Sequence, residues 1–372
     1  MAESPSAETP LRTVPLDALH RELGARMVPF AGYAMPVQYP AGVLAEHTHT
    51  RAKAGLFDVS HMGQVRLTGA DPAAALERLV PGAIRALKPG RQRYTLFTND
   101  AGGILDDLMV ANAGDHLFAV LNAARKEADV DHLRTHLPEV EVTVLEDHAL
   151  LALQGPAAAG VLAALAPEVA DMRFMDARAV ELMGAPCFVT RSGYTGEDGY
   201  EISVPAEAAE RLARTLLEHE DVAPAGLGAR DSLRLEAGLC LYGSDITEST
   251  SPIEADLAWT IGKTRREAGD FPGARTILEQ LRGGPPSRRV GLRPEGRAPA
   301  RAGTEVIDAD GTAVGMVTSG GYGPTVGGPV AMGYVPPWLA KPGTRVALRV
   351  RGKDLPAQVV ALPFTPPRQF RG

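Results

Sequence analysis

Cysteine and aromatic residues are scarce in this sequence. Only 2 of its 372 residues are cysteines, and 5% are aromatic. Cys187 and Cys240 are too far apart in the chain to suggest a disulfide framework or a Cys-x-x-Cys metal or redox motif. We expect both to be buried core residues. Because nothing here requires an oxidising compartment, the simplest location is the cytoplasm.

The sequence also lacks an excess of basic residues and any long apolar run. Its 38 Lys and Arg residues are outnumbered by 45 Asp and Glu residues, which gives a formal net charge of −7. Because no domain-sized stretch is strongly basic, we expect no nucleic-acid partner. The first ten residues lack the basic start and apolar run of a signal peptide. No stretch reaches membrane-spanning length, so we expect no membrane association.

Enough apolar residues are present for an extensive folded core. The hydrophobic fraction of 45% and the charged fraction of 22% are ordinary for a globular protein. At about 150 residues per domain, the length predicts two or three domains. Residues 1–15 are rich in Pro and Ser, and we expect them to form a disordered tail.

The rest of the chain divides into a mixed region and a strand-rich region. Residues 16–281 alternate between helix and strand periodicity, with hairpins, which favours an α+β fold over a parallel doubly wound sheet. We expect two related sheet-and-helix units there, one of them, roughly residues 60–140, inserted within the other. After a linker-like stretch, residues 288–370 contain six short strand patterns, typical of a small antiparallel barrel or sandwich.

Turn and cap residues predict where several elements begin and end. Asp71 followed by Pro72 predicts the start of a helix. Residues 93–98 and 104–110 predict two strands joined by the glycine-containing turn 99–103. Asn122 is expected to cap a helix that extends to about residue 137.

Two patterns that could have indicated a cofactor or metal site are incomplete. Residues 226–231 begin like a dinucleotide-binding loop, but Asp231 replaces the third glycine. His132 and His136 have the spacing of a zinc-binding helix, yet the catalytic Glu is replaced by Leu133 and no third ligand is evident. We therefore expect no metal site.

A pair of acidic residues interrupts an otherwise apolar strand. Asp106 and Asp107 lie within the predicted strand 104–110. Because neighbouring side chains of a strand point to opposite faces, one of the two carboxylates must face inward or toward a cleft. An edge strand or a turn would instead leave both groups in solvent, and the sequence alone leaves that alternative open.

Polar residues also concentrate in the connection 191–201 and in the helix that starts near residue 226. The connection includes Tyr194 and Glu201, and its two tyrosines and three acids suit a ring-bearing ligand with several N–H donors. Many such connections are only hairpins. On the helix, Arg230 could clamp a carboxylate, whereas ion pairing along the helix is the simpler interpretation.

Several ordered segments of the sequence resemble one known family. They are residues 29–39 (PFAGYAMPVQY), 55–63 (GLFDVSHMG), 94–108, 194–201, 226–238, 252–255, 318–320 and 363–364. In these segments the sequence resembles the aminomethyltransferases, or T proteins, of the glycine cleavage system. The resemblance extends from about residue 16 to residue 370.

The resemblance implies a fold and a reaction. The fold would have three domains around a central cavity that holds tetrahydrofolate, two related to the ferredoxin-like fold and the third a β-barrel. In the reaction, an aminomethyl group on the dihydrolipoyl arm of the H protein passes to tetrahydrofolate. The products are methylenetetrahydrofolate, ammonia and the dihydrolipoyl carrier, and no metal or redox cofactor is required.

The resemblance also implies roles for individual residues. Asp107 matches the catalytic aspartate, which would orient the folate nitrogen, relay its proton and stabilise the cationic carbon. Glu201 would hydrogen-bond the pterin ring, and Arg230 would meet a polar or acidic part of the ligand. The residues expected to line the pocket are Tyr94, Asn122, Tyr194 and Trp259. Arg368 is a further candidate, and Ala111 stands where several relatives have tyrosine.

Two alternatives share the expected fold. One is a folate-dependent demethylase that accepts a methyl group from sulfur. The other is a folate-binding accessory protein of iron–sulfur maintenance, without this chemistry. Relatives of the second kind have a Lys-Gly-Cys loop where this chain has residues 192–194 (SGY), which argues against it.

Overall fold

The computed structural model of the protein describes residues 10–372. Residues 1–9 of the expected disordered tail lie outside the described residues. For residues 10–15 the expectation is wrong, because these residues pack against the fold. Arg12 forms a β-bridge with Tyr33 and lies 4.4 Å from the centre of its ring, and Val14 is buried. The composition of residues 10–15 does not indicate these contacts, because their partners lie elsewhere in the chain.

The described residues form helices and strands in mixed order. The helices are α1 (Asp17–Glu22), α2 (Val43–Ala52), α3 (Pro72–Glu77), α4 (Lys126–His136), α5 (Ala158–Leu165), α6 (Ala206–Leu217), α7 (Leu227–Glu236), α8 (Lys263–Ala268) and α9 (Ala274–Gly283). Short 3-10 helices are Pro167–Val169, Ala258–Thr260 and Pro337–Leu339.

The strands are β1 (Arg26–Phe30), β2 (Tyr33–Gln38), β3 (Ala54–Asp58), β4 (Gly63–Thr68), β5 (Arg91–Thr98), β6 (Ile104–Asn112), β7 (Leu117–Leu121), β8 (Glu141–Val144), β9 (His148–Gln154), β10 (Ala177–Leu182), β11 (Ala185–Thr190), β12 (Gly199–Pro205), β13 (Val222–Pro224), β14 (Arg288–Pro294), β15 (Glu305–Ile307), β16 (Ala313–Gly323), β17 (Gly328–Val335), β18 (Arg345–Val350) and β19 (Lys353–Val360). Strands β1 and β2 form a separate antiparallel hairpin.

Local side-chain contacts explain two of the predicted boundaries. The carboxylate of Asp71 accepts a hydrogen bond of 2.9 Å from the Ala74 amide and caps α3, as predicted. In the turn between β5 and β6, the Asn99 side chain accepts a hydrogen bond from the Gly103 amide. A Cβ atom on Gly103 would lie 1.8 Å from the carbonyl oxygen of Glu248, so only glycine fits there.

The first sheet has six strands in the order β10-β11-β12-β9-β3-β13. Its neighbouring strands are antiparallel except for β13, which is parallel to β3. One face packs on α5 and α6 through a core that includes Leu151, Leu162, Ile202 and Leu212. Strands β3 and β9 are buried along nearly their whole length, so the other face of the sheet is also covered.

The second sheet has five antiparallel strands in the order β5-β6-β7-β4-β8. Its strands lie between β3 and β9 in the chain. Helices α3 and α4 cover one face through Leu76, Val130 and Leu133, which pack with Val110 of β6. Residues from both sheets, among them Ala111 and Ala152, form a separate core that joins the sheets. The layers therefore follow the order helices, sheet, sheet, helices.

Strands β14 to β19 close into an antiparallel barrel in the order β14-β17-β16-β15-β18-β19. Arg289 joins the barrel to the preceding region, since its guanidinium donates to the carbonyl oxygens of Ala255 and Gly238 at 2.8 and 2.9 Å. The predicted α+β class with a C-terminal antiparallel barrel is thus confirmed. No helix within residues 10–372 is long and apolar enough to cross a bilayer.

Candidate functional site

The two neighbouring aspartates of β6 point to opposite faces of the second sheet. Asp106 is fully buried and lies opposite Phe97 of β5, on the side covered by α3 and α4. Asp107 is partly buried and lies opposite Leu96, on the side covered by the segment after α7, which includes Cys240. The alternative with both carboxylates in solvent is therefore excluded.

The side chain of Asn122 joins the two aspartates. Its Nδ2 atom donates to Oδ1 of Asp106 at 2.9 Å and to Oδ1 of Asp107 at 2.8 Å. The predicted cap is therefore wrong: α4 begins at Lys126, and its N-cap residue is Arg125. Asn122 follows the end of β7, and its side-chain amide donates to the two carboxylates of β6. Buried polar groups require hydrogen-bond partners, so these contacts take precedence over a helix cap.

The pKa of the Asp107 carboxyl group lies near neutral pH. Burial, followed by the neighbouring Asp106, raises the pKa of Asp107 to about 7, while hydrogen bonds with Tyr94 and Asn122 oppose the increase. A carboxyl group with this pKa can accept or release a proton near neutrality. Asp107 is therefore suited to general acid–base chemistry.

Aromatic rings flank this carboxyl group. Tyr94 of β5 stacks on Trp259 of the 3-10 helix Ala258–Thr260, with ring centroids 5.5 Å apart and ring planes at 26°. Trp259 is 64% exposed, so the other face of its indole is available. An exposed aromatic face beside a carboxyl group suits a flat heterocyclic ligand.

The loop between β11 and β12 brings Tyr194 to the same region. Its hydroxyl donates to the carbonyl oxygen of Cys240, and the guanidinium of Arg230 lies 4.9 Å from the centre of its ring. The loop passes closely over the first sheet: a Cβ atom on Gly193 would lie 1.8 Å from Oε1 of Gln154. Glycine at this position therefore allows the approach that places Tyr194.

Glu201 and Arg230 supply opposite charges to the space between the sheets. Glu201 pairs with Ala152, a residue of the core that joins the two sheets, so its side chain faces that layer. Burial raises the pKa of Glu201, and the charge of Arg230 opposes the increase. Burial lowers the pKa of Arg230, whose Nη1 atom has no hydrogen-bond partner among the described residues. An unpaired buried donor of this kind is typical of a ligand site.

Sequence reasoning did not single out His61, although it lies in one of the resembling segments. The side chain is 3% exposed, and its Nδ1 atom has no hydrogen-bond partner within residues 10–372. Burial and the charge of Arg230 lower the pKa of His61 to about 4, so the ring is neutral at physiological pH. No spacing rule marks this residue, because tertiary structure sets its burial and brings the charge of Arg230 into its surroundings.

Arg368 occupies a different position from the other predicted residues. Its side chain is 55% exposed and lies 3.4 Å from both the Arg51 carbonyl oxygen and Oε1 of Glu197. Its backbone amide donates to the carbonyl of Gly196. Among the described residues, Arg368 therefore contacts Gly196 and Glu197 of the loop 191–199 and has no recorded contact with Asp107.

Seven of the predicted residues therefore form one connected set. They are Tyr94, Asp107, Asn122, Tyr194, Glu201, Arg230 and Trp259. Together they combine a carboxyl group of raised pKa, aromatic surfaces and a pair of opposite charges. Within residues 10–372 no group of three or more His, Cys, Asp or Glu residues is arranged to hold a metal ion.

Comparison with known proteins identifies the family of this chain. The domain family described as the GCVT N-terminal domain matches residues 16–265. The glycine cleavage T-protein C-terminal barrel domain matches residues 288–365. The chain belongs to the glycine cleavage T-protein family. The two matches also correspond to the mixed region and the barrel of this T-protein family member.

Curated T-protein relatives match over nearly their full length. The mitochondrial aminomethyltransferase of Gallus gallus is 50% identical, covering 98% of this chain and 95% of its own. The mitochondrial enzyme of Homo sapiens is 48% identical, covering 98% and 92%. The crystal structure of glycine cleavage system aminomethyltransferase T from Bartonella henselae matches with a TM-score of 0.93, at 46% identity, covering 97% of this chain and 100% of that one.

The names of the relatives contradict one expectation. The proteins from Gallus gallus, Homo sapiens and Dictyostelium discoideum are named as mitochondrial, so the expected cytoplasmic location is wrong. Scarcity of cysteine indicates only that the protein does not depend on disulfides. It does not distinguish one reducing compartment from another.

Proposed function

We infer that this chain is a tetrahydrofolate-dependent aminomethyltransferase of the glycine cleavage system. Membership of the T-protein family supports the activity. The observation that carries the chemical assignment is the position of Asp107, a carboxyl group of raised pKa that hydrogen-bonds Tyr94 of the aromatic stack. The opposite charges of Glu201 and Arg230 are half-buried and act on each other. No comparable observation favours the demethylase or the accessory protein.

The reaction balances without an oxidant or a reductant. In the aminomethylated carrier, one carbon joins the dihydrolipoyl sulfur to an amine. Its bonds to sulfur and to the amine nitrogen break, and two bonds to tetrahydrofolate nitrogens form. The two folate N–H hydrogens are transferred to sulfur and to the departing amine. The products are methylenetetrahydrofolate, ammonia and the free thiol of the carrier.

Asp107 is the residue that we assign to this transfer. When ionised, its carboxylate stabilises the positive charge that develops on the one-carbon unit as the carbon–sulfur bond breaks. The same oxygen atoms can then accept the proton of the attacking folate nitrogen. A pKa near 7 suits both tasks, because the group is partly ionised at neutral pH and can also return the proton to the leaving group.

Five other residues of the connected set bind and orient the folate in this proposal. Glu201 accepts hydrogen bonds from the N–H groups of the pterin, and Arg230 offers its unpaired donor to a polar or acidic part of the ligand. The rings of Tyr94, Tyr194 and Trp259 border the heterocycle. The lipoylated H protein is the partner that delivers the aminomethyl group.

The decisive experiment runs the reaction in both directions with purified components. Aminomethylated H protein and tetrahydrofolate should give methylenetetrahydrofolate and ammonia in equal amounts. Methylenetetrahydrofolate, ammonia and reduced lipoyl carrier should give a carrier whose mass increases by one aminomethyl group. Failure in both directions, with tetrahydrofolate still binding, would favour the accessory protein. Transfer of a methyl group from a sulfur donor would favour the demethylase.

A further inference from the structure

A buried pair of carboxyl groups lies behind Asp107. Asp106 of β6 and Asp129 of α4 are 0% and 2% exposed, and their side chains are within hydrogen-bonding distance of each other. Oδ2 of Asp129 has no donor among the described N–H and O–H groups. Two ionised carboxylates cannot hydrogen-bond each other, so this contact requires a proton between them.

The charges around the pair do not remove that requirement. Arg125, at the start of α4, is the cation that acts on Asp129, but its guanidinium is also 3.2 Å from Oε1 of Glu248. Tyr242, from the segment after α7, faces the pair as a neutral phenol whose pKa burial raises to about 12. Burial and the contact with Asp129 raise the pKa of Asp106, which is consistent with retention of a proton.

Asn122 connects this pair to Asp107. Its Nδ2 atom has two hydrogens for three acceptors, namely Oδ1 of Asp106, Oδ1 of Asp107 and the Asp107 carbonyl oxygen. A fully ionised Asp106 would compete for these hydrogens and repel the Asp107 carboxylate across the amide. A protonated Asp106 donates to Asp129 and still accepts from Asn122. The Asn122 amide is then held in one orientation, with a hydrogen on Asp107.

We propose that Asp106 and Asp129 share one proton and act as positioning residues that hold the Asp107 carboxylate through Asn122. The role in transfer rests on the proposed function, whereas the shared proton can be measured without any reaction. Asp106, Asn122 and Asp129 need not contact a substrate for this role. Their effect is to fix the direction of the catalytic oxygen atoms.

The kinetic test compares two substitutions of one residue. Asp106→Asn replaces the shared O–H donor with an N–H donor and keeps the Oδ1 acceptor for the Asn122 side chain. It loses only the long hydrogen bond of 3.3 Å from the Asn122 backbone amide to Oδ2, so kcat should stay within about threefold of the original protein. Asp106→Ala removes both contacts, and misorientation of Asp107 should lower kcat by about 100-fold with little change in the KM for tetrahydrofolate. Equal losses in both variants, or no loss in either, would overturn the positioning role.

Infrared spectroscopy tests the proton directly, so that poor folding of the alanine variant does not leave the proposal undecided. Protein labelled with carbon-13 at the aspartate carboxyl groups should show a protonated-carboxyl C=O band at about pH 8, above the range in which ordinary aspartates are protonated. The band should persist in Asp107→Asn and disappear in Asp106→Asn. No band in the original protein, or a band that remains in Asp106→Asn, would overturn the shared proton.

The two tests also separate this proposal from the proposed function. If the original protein fails to transfer an aminomethyl group but shows the band, the enzyme assignment fails and the carboxyl pair stands as a structural feature. If transfer is normal and the band is missing, the pair is refuted and the enzyme assignment is unaffected.

Discussion

Tyr94 and Trp259 stack with their ring centroids 5.5 Å apart, although one belongs to β5 and the other to a 3-10 helix far along the chain. Tyr94 is packed against the core around Leu96 and Cys240, whereas Trp259 remains 64% exposed. The stack thus fixes one face of the indole and leaves the other open. This arrangement provides a rigid aromatic surface next to Tyr94, which hydrogen-bonds Asp107.

Removal of this surface should weaken tetrahydrofolate binding without changing the fold. Trp259→Ala should raise the KM for tetrahydrofolate by about 3- to 10-fold, since an aromatic contact contributes about 0.5–1.5 kcal/mol. Steady-state kinetics measures the change. Trp338→Ala is the matched control, because Trp338 is 65% exposed but lies in the barrel region. A similar rise in KM for both variants would contradict a specific role of Trp259.

Loss of the carboxylate of Asp107 should abolish transfer while folate still binds. Asp107→Asn keeps the shape and the contact with Asn122 but removes the charge and the proton acceptor, so kcat should fall by about 100- to 10,000-fold. Calorimetry should give a dissociation constant for tetrahydrofolate close to that of the original protein. Asp100→Asn, in the exposed turn between β5 and β6, is the control for loss of one aspartate charge. Full activity of Asp107→Asn would remove this residue from the mechanism.

Transfer should depend on pH with an acidic limb near neutrality. Burial, followed by the neighbouring Asp106, raises the pKa of Asp107 to about 7, so Asp107 loses its negative charge as the pH falls below that value. The value of kcat/KM should therefore decline below about pH 7, instead of near pH 4 as for an ordinary aspartate.

A substitution at Tyr94 provides a check on this assignment. The hydrogen bond between Tyr94 and Asp107 opposes the rise in pKa, so Tyr94→Phe should move the acidic limb of the kcat/KM profile to higher pH. A limb that stays in place in Tyr94→Phe, or a limb near pH 4 in the original protein, would show that another group controls the profile.

Glu201 should contribute to binding more than to the chemical step. Glu201→Gln keeps the size of the side chain but loses its charge, and loss of a charged hydrogen bond costs about 1.5–3 kcal/mol. Titration calorimetry should show a dissociation constant for tetrahydrofolate weakened by about 10-fold or more. Glu207→Gln, on the exposed first turn of α6, should bind as the original protein does. An unchanged constant for Glu201→Gln would refute the assigned contact.

The buried arginine behind the loop 191–199 should be important for stability. Arg51 donates to Glu197 at 2.9 Å and to Glu236 at 3.0 Å, and both carboxylates are almost fully buried. Arg51→Ala leaves them without this partner, which should lower the free energy of unfolding by about 3–5 kcal/mol. Urea unfolding measures the difference.

An exposed ion pair offers the control for this stability prediction. Arg275 pairs with Glu279 on the surface of α9 and is 91% exposed. Arg275→Ala should lower the free energy of unfolding by less than about 1 kcal/mol, because solvent screens the pair. If both arginine variants lose similar stability, burial is not the reason for the effect of Arg51→Ala.

Local sequence signals predicted much of the secondary structure and the acidic pair. The Asp71 cap, the β5–β6 hairpin and the apolar run that Asp106 and Asp107 interrupt depend on residues close together in the chain. Such features can be recognised before any tertiary contact is known. Residue patterns also singled out Glu201 and Arg230 separately, and the resemblance then assigned both of them to one ligand site.

The incorrect structural predictions have one cause in common. Asn122 has the residue type of a helix cap but donates to two aspartates on a neighbouring strand. Residues 10–15 have the composition of a tail but pair with β2 through Tyr33. His61 was not singled out because the charge of Arg230, which helps to lower its pKa, comes from a distant part of the chain. In each case a long-range contact competes with a local preference and prevails.

The sequence by itself determined the elements, the order in which they occur and the presence of two adjacent carboxyl groups on one strand. Periodicity and caps act over a few residues, so their effects can be read along the chain. Only the tertiary structure decided that Asp106 turns to α4 while Asp107 turns to the aromatic rings. Proton affinity depends on burial and on neighbouring charges in space, and the packing of the two sheets, the helices and the segment after α7 sets both.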